Sequence, residues 1–256
     1  MSSEFRALLD FASEAAWQAG RITLRYYQTG VAVEAKADDS PVTIADREAE
    51  NLLRGLIQRT FPDDGIVGEE WGEIPGRSGR RWIVDPIDGT KSFIHGVPLY
   101  AVLIGLEIGE TCVVGAANFP ALNEMVCAAK GLGCFWNGRR ASVSNVSRLS
   151  DALLLTTDVP NIYRAGYGPG YDRASAVARL RRGWGDAYGH ALVATGRAEV
   201  MLDPIMDIWD CAALVPILLE AGGTFTDWKG NPTARGRSAI STNGKVYEEV
   251  MGLLRQ

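Results

Sequence analysis

Histidine and cysteine are scarce in this chain. Only two histidines, His95 and His190, and four cysteines occur among 256 residues. That leaves little material for a histidine-rich metal centre or a Ser-His-Asp triad. Cys112, Cys127, Cys134 and Cys211 share no C-x-x-C spacing, so the pattern predicts small core thiols rather than a zinc site or a disulfide framework. Basic blocks are missing as well. The densest cluster, Arg179, Arg181 and Arg182, is too small for a nucleic-acid footprint, and 26 Lys plus Arg against 31 Asp plus Glu give a net charge of -5. No nucleic-acid partner is expected. No apolar run approaches the roughly 18 residues a membrane span needs. Met1 to Glu4 shows neither the basic nor the apolar region of a secretory signal. The expectation is a cytoplasmic protein with no membrane partner. Internal repeats and low-complexity segments are also lacking.

What is present is ordinary globular material: 46% hydrophobic and 22% charged residues, enough for one large domain or two small ones. Phe5, Leu8, Leu9, Ala12, Ala15, Ala16, Ala19 and Ile22 recur at helical spacing. A glycine and polar stretch from Gly30 to Ser40 follows. A second helix is predicted from about Thr43 to the Phe61-Pro62-Asp63-Asp64-Gly65 break. Strands come next: Arg81 to Val84, a hairpin of Tyr100 to Glu107 with Thr111 to Asn118, then Asn123 to Ala129 and Gly133 to Trp136 before an Asn137-Gly138 turn. After Ser150 the texture changes. A strand at Ala152 to Thr156 leads to an expected loop from Pro160 to Tyr171. Helices are predicted near Arg173 to Leu180, at Asp186 to Thr195, Ile208 to Ala221 and Lys245 to Leu254, with strands at Glu199 to Leu202 and Thr224 to Asp227. The expectation is an α+β subdomain over residues 1–147 and an α/β subdomain over 148–256.

Acidic residues carry the chemistry. Trp82 to Thr90 reads as a strand running into Asp85-Pro86-Ile87-Asp88-Gly89-Thr90. Two carboxylates three residues apart can converge, and Pro86 stiffens the link between them. If a helix starts there, the Gly89 and Thr90 amides offer an anion site. Hard oxygen ligands beside an anion site suit Mg²⁺ and a phosphate together. A turn aspartate and a helix cap would give the same local pattern. Gly68-Glu69-Glu70, Asp46 and Trp209-Asp210 add further acids, each equally readable alone as a cap or a solvated charge.

Taken together, Gly68-Glu69-Glu70, Asp85-Pro86-Ile87-Asp88-Gly89-Thr90 and Trp209-Asp210-Cys211-Ala212-Ala213 resemble the inositol monophosphatase superfamily of Mg²⁺-dependent, lithium-sensitive phosphatases. Lys36 through Asp46 and Glu220-Ala221-Gly222-Gly223 extend the resemblance over nearly the whole chain. It implies a layered α-β-α-β-α sandwich, a homodimer, two or three Mg²⁺ per site and a small phosphate ester as partner. By position, Glu69, Asp85, Asp88, Asp210 and the Ile87 carbonyl resemble the metal ligands, with Glu69 and Glu70 open to exchange. Asp46 and Thr90 resemble the pair that orients the attacking water, with Glu69 beside them in the catalytic set. The amides of Gly89 and Thr90 resemble the phosphate cradle, with Asp88 and Asp210 in the same phosphate- and substrate-binding set. An aspartyl-phosphate enzyme would use Asp85 or Asp88 as nucleophile, but Pro86-Ile87 and Trp209-Asp210 do not resemble that family.

Gly89 to Pro98 and Trp184-Gly185-Asp186-Ala187-Tyr188-Gly189-His190 resemble the histidinol-phosphate phosphatase branch. That branch implies Asp186 and Asp203 at the non-phosphate end of the substrate, where acidic groups suit an ammonium and an imidazole. Asn118 to Leu122 departs from the branch. An inositol-1-phosphate or broad sugar-phosphate phosphatase is the alternative, in which Asp186 is a helix cap. A non-catalytic metal- or phosphate-binding protein is the third reading. His95 and His190 can touch substrate or serve only the fold.

Overall fold

The computed structural model describes residues 2–36 and 40–255. Ala37, Asp38 and Asp39, inside the Lys36 to Asp46 stretch, lie outside the described residues. The described residues form, in order, helix α1 (Ser2–Thr23), strands β1 (Val33–Ala35) and β2 (Pro41–Thr43), helix α2 (Ile44–Thr60), and strands β3 (Gly65–Gly68), β4 (Gly72–Ile74) and β5 (Arg80–Asp88). The short helix α3 (Thr90–Ile94) precedes strands β6 (Ala101–Ile108), β7 (Thr111–Phe119), β8 (Glu124–Ala129), β9 (Gly133–Trp136), β10 (Arg139–Ala141) and β11 (Leu153–Thr156). Helices α4 (Val159–Arg164) and α5 (Gly168–Val177), strand β12 (Leu180–Arg182), helix α6 (Asp186–Ala194) and strand β13 (Val200–Asp203) follow. Helices α7 (Ile208–Cys211) and α8 (Leu214–Glu220), strands β14 (Thr224–Thr226) and β15 (Ala239–Thr242), and helix α9 (Tyr247–Arg255) complete the chain.

Among the described residues an eight-stranded sheet runs β10-β9-β8-β7-β6-β5-β3-β4, antiparallel except for β3 beside β5. A five-stranded sheet runs β12-β11-β13-β15-β14, with β12, β11 and β13 parallel. Side-chain alternation explains the layering. Val102, Ile104 and Leu106 of β6 pack on α1 and α2, while Ala101 and Leu103 face the other way, toward Ala187, Ala191, Leu214 and Ile217 of α6 and α8. The five-stranded sheet repeats the device. Leu155 and Met201 face that same middle helical layer, whereas Leu154, Val200 and Leu202 face α5 and α9. The result is an α-β-α-β-α sandwich whose central helices are buried from both sides.

Several expectations are corrected here. The Pro160 to Tyr171 loop is largely helical, because Pro160 and Pro169 sit in the first turns of α4 and α5, where proline fits. The Arg173 to Leu180 helix starts earlier and stops at Val177, and Leu180 opens an edge strand. The Ile208 to Ala221 helix is divided, since Pro216 has no N–H to return to Ala212. The Arg81 to Val84 strand runs from Arg80 to Asp88. Within the Gly30 to Ser40 stretch, β1 pairs with β2.

Candidate active site

β5 delivers the first carboxylate by alternation. Ile83 faces the middle helical layer, so Asp85, two residues on, faces the same way. The register of β5 against β6 then shifts between Asp85 and Asp88, a bulge that re-aims the strand end. Gly89 follows in the left-handed region at φ 79° and starts α3. A side chain there would be strained, and its Cβ would lie 3.0 Å from Asp186 Oδ2.

Asp210 comes from α7, in the middle layer. The peptides after it lie directly on the eight-stranded sheet. A Cβ on Gly105 would come 2.7 Å from Ala212, and one on Gly115 would come 2.0 Å from the Ala213 carbonyl. Small residues on both sides of this contact hold α7 close enough for Asp210 to meet β5. Among the described residues, Asp85, Asp88 and Asp210 each offer one carboxylate oxygen, all within 4.8 Å of one another. That is an all-oxygen, anionic donor set, which fits a hard divalent cation.

Two of the site acids are oriented by the same local device. Asp46 is the third residue of α2, and its Oδ2 accepts from the Thr43 N–H at 2.8 Å and the Thr43 hydroxyl at 2.7 Å. Asp210 is the third residue of α7, and its Oδ2 accepts from the Asp207 N–H at 2.6 Å. Each acid closes a reciprocal capping box with one oxygen, so its other oxygen is not used by the cap. The cap reading and the site reading are therefore compatible for both. Asp46 Oδ1 is buried with no hydrogen-bond partner. No hydrogen bond joins Asp46 to Thr90, whose hydroxyl donates instead to the Ile87 carbonyl at 3.0 Å.

The two glutamates part company. Lys36 Nζ bridges them, at 2.7 Å from Glu69 and 2.6 Å from Glu70. Glu69 lines the cavity that contains Asp85, Asp88 and Asp210. Glu70 lies behind it, its N–H donating to the buried Glu50, which Arg54 neutralises. Glu50 and Arg54 were not anticipated from sequence; they hold the turn that presents Glu69.

The cavity measures about 480 Å³. Beyond the carboxylate cluster it is lined by Thr157 and Asp158, by Gly183, Gly185 and Asp186, and by Asp203. These follow the ends of β11, β12 and β13, where open α/β sheets bind ligands. Asp203 Oδ2 accepts from the Thr157 hydroxyl at 2.6 Å, and the same hydroxyl accepts from the Asp186 N–H at 2.8 Å. Asp88 Oδ2 accepts from the Ala187 N–H at 2.7 Å, tying α6 to the cluster. Asp186 does not cap α6: the cap position is Gly185, without a side-chain bond, and Asp186 itself sits at φ 52°. His190 is buried against Ser241 and does not line the cavity, nor does the exposed His95.

Burial and mutual repulsion dominate the electrostatics. Asp85 is pushed well above the usual carboxylate range by burial and by Glu69, and Asp88 by burial and by Asp186. Burial raises Asp210 to about 8, Asp203 to about 7, and Asp186 and Asp46 to about 6. Such a cluster is costly without positive charge, and a bound divalent cation would relieve it.

Comparison with known proteins shows the family and the fold. The model of the inositol monophosphatase family matches residues 4–256. A histidinol-phosphatase of Chlorobaculum parvum is 48% identical over 96% of both chains. An inositol-1-monophosphatase of Rhizobium meliloti is 37% identical over 88% of this chain and 86% of its own. The crystal structure of the extragenic suppressor protein SuhB from Bartonella henselae superposes with a TM-score of 0.91 at 32% identity, over 98% of this chain and 99% of that one.

Proposed function

Since the chain belongs to the inositol monophosphatase family and is a phosphoric monoester hydrolase, we propose that its substrate is L-histidinol phosphate, hydrolysed to L-histidinol and phosphate. The observation that carries this reading is the acidic cavity wall of Asp186 and Asp203, which lines the same cavity as the carboxylate cluster and adds negative charge beside it. A cationic amine and imidazole would neutralise that wall; the hydroxyls of inositol phosphate would not. The names of similar proteins such as the Chlorobaculum parvum histidinol-phosphatase support the same substrate.

Glu69, Asp85, the Ile87 carbonyl, Asp88 and Asp210 are the groups we assign to Mg²⁺, with two or three ions per site. When bound, Mg²⁺ supplies positive charge against the phosphate oxygens and acidifies water. The amides of Gly89 and Thr90, at the start of α3, hold a phosphate oxygen. The Thr90 hydroxyl donates its hydrogen bond to the Ile87 carbonyl, so its lone pairs can accept from the attacking water. Asp46 Oδ1, the buried oxygen without a protein partner, is the acceptor for that water's proton. The water oxygen bonds to phosphorus as the ester P–O bond breaks in line, and the leaving alkoxide takes up a proton from solvent, balanced by the proton that Asp46 later returns to solvent.

The test is phosphate release with Mg²⁺ from histidinol phosphate and inositol 1-phosphate side by side. A kcat/KM ratio strongly favouring histidinol phosphate is expected. A ratio near one, or below it, would leave a broad phosphatase and take Asp186 and Asp203 out of recognition. Family resemblance further supports Mg²⁺ dependence, inhibition by millimolar-range lithium and a homodimer, which metal titration, inhibition curves and sedimentation test directly. Among the described residues no helix is long and apolar enough to cross a membrane.

A further inference from the structure

The Asp158 side of the cavity wall has no role in the reading given above. Parallel pairing sets Thr156 of β11 beside Leu202 of β13. One residue on, Thr157 stands beside Asp203, and their side chains bond. Asp158 is one residue further out, roughly 3.3 Å along the chain, and it lines the cavity.

Asp158 occupies the cap position of α4, where an aspartate ordinarily accepts the N–H of the second or third helical residue. Here it makes no such bond. Pro160 holds the second position and has no N–H to give. Among the described residues no side-chain hydrogen bond or ion pair restrains the Asp158 carboxylate. Neighbouring Asn161, also in the wall, already has its side-chain oxygen taken by Arg164 at 2.8 Å. Asp186 and Asp203 likewise have no Lys or Arg within ion-pair distance among the described residues. Lys91 is the sole cation lining the cavity among those residues, and its field acts on Asp186. Val97 and Ile205, 40% and 55% exposed, also line the cavity and add apolar surface, which strengthens a charge pair formed beside it.

We propose that Asp158 is a specificity-determining residue whose carboxylate receives the cationic end of an amine-bearing phosphate ester, outside the positions of Asp186 and Asp203. The inference rests on the cationic-substrate reading given above. Its chemistry is a direct ion pair with an ammonium or imidazolium, formed by a carboxylate that the fold leaves without any other task.

Asp158→Asn tests it, because the side chain makes no bond that folding needs. The kcat/KM for histidinol phosphate is expected to fall about tenfold, carried by KM, the size of one charge-assisted hydrogen bond. The value for inositol 1-phosphate should stay unchanged. Competitive inhibition by L-histidinol, which has no phosphate, should weaken by a similar factor, and Asp158→Glu should recover part of the loss. A wild-type enzyme without preference for the cationic ester would overturn the substrate reading and this inference together. A selective wild type with an equally selective Asp158→Asn would overturn this inference alone, as would equal losses on both esters.

Discussion

Replacing Asp210 by asparagine should abolish activity and yet stabilise the metal-free protein at neutral pH. Asparagine keeps an oxygen for the Asp207 N–H, so the cap of α7 survives. What it removes is one member of the buried carboxylate cluster. Burial raises Asp210 from 3.8 to about 8, so the folded state retains a proton that the unfolded chain releases near pH 4. The associated stability is fully present below pH 4 and is lost as pH rises through 8. Across two pH units from 5.5 to 7.5 the loss is about 2–3 kcal/mol. For a chain of this size that is a fall in melting temperature of roughly 5–10 °C. The assay is thermal or urea unfolding in EDTA at both pH values, wild type beside Asp210→Asn. Taking the difference between the two proteins cancels His190, which titrates in the opposite sense in this range. The variant should gain about 2–3 kcal/mol on the wild type between pH 5.5 and 7.5, and Mg²⁺ should close the gap by stabilising only the wild type strongly. A stability difference independent of pH would refute the reasoning, because the carboxylates would then not be held against their charge.

Four further outcomes are expected. Thr90→Val should lower kcat by about 10²–10³-fold with a small change in melting temperature; an unaltered kcat would remove Thr90 from water orientation. Asp186→Asn and Asp203→Asn should each raise KM for histidinol phosphate while sparing inositol 1-phosphate, as paired steady-state assays would reveal. Gly115→Ala should cost about 1–3 kcal/mol, since the added Cβ meets the Ala213 carbonyl at 2.0 Å, and should depress activity by displacing Asp210; a stable, active variant would count against that contact. Burial lowers His190 to about 3, so its contribution is complete above its unfolded value near 6.5 and fades as pH falls. His190→Asn should flatten the urea-derived stability slope between pH 6.5 and 4.5 by up to about 1.4 kcal/mol per unit.

Much of the site was legible because it is written locally. Asp85-Pro86-Ile87-Asp88-Gly89-Thr90 lies at a strand end, and strand alternation alone turns Asp85 inward. Helices α1 and α2 follow their apolar spacing. Less of the second half could be read. Gly166, Gly168, Pro160 and Pro169 suggest a loop by composition, whereas the prolines fall in first helical turns. Nothing local marks Glu50 and Arg54 as the support for Glu69, since they act across a turn about 20 residues away. The separation of Asp46 from Thr90 depends on Thr43 and Ile87 taking their hydrogen bonds, which motif matching does not resolve.

The two sheets divide the labour in a way that bears on how such enzymes change. Of the acids assigned to metal, Asp85 and Asp88 on β5 and Asp210 on a helix pressed onto glycines are locked where almost no substitution fits. The wall to which we assign recognition stands on the open ends of β11, β12 and β13, at residues 157–161, 183–186 and 203–206. New substrates can therefore be explored by exchanging three short surface segments while the reaction centre is inherited intact. A library confined to those segments should yield altered preference far more often than lost turnover.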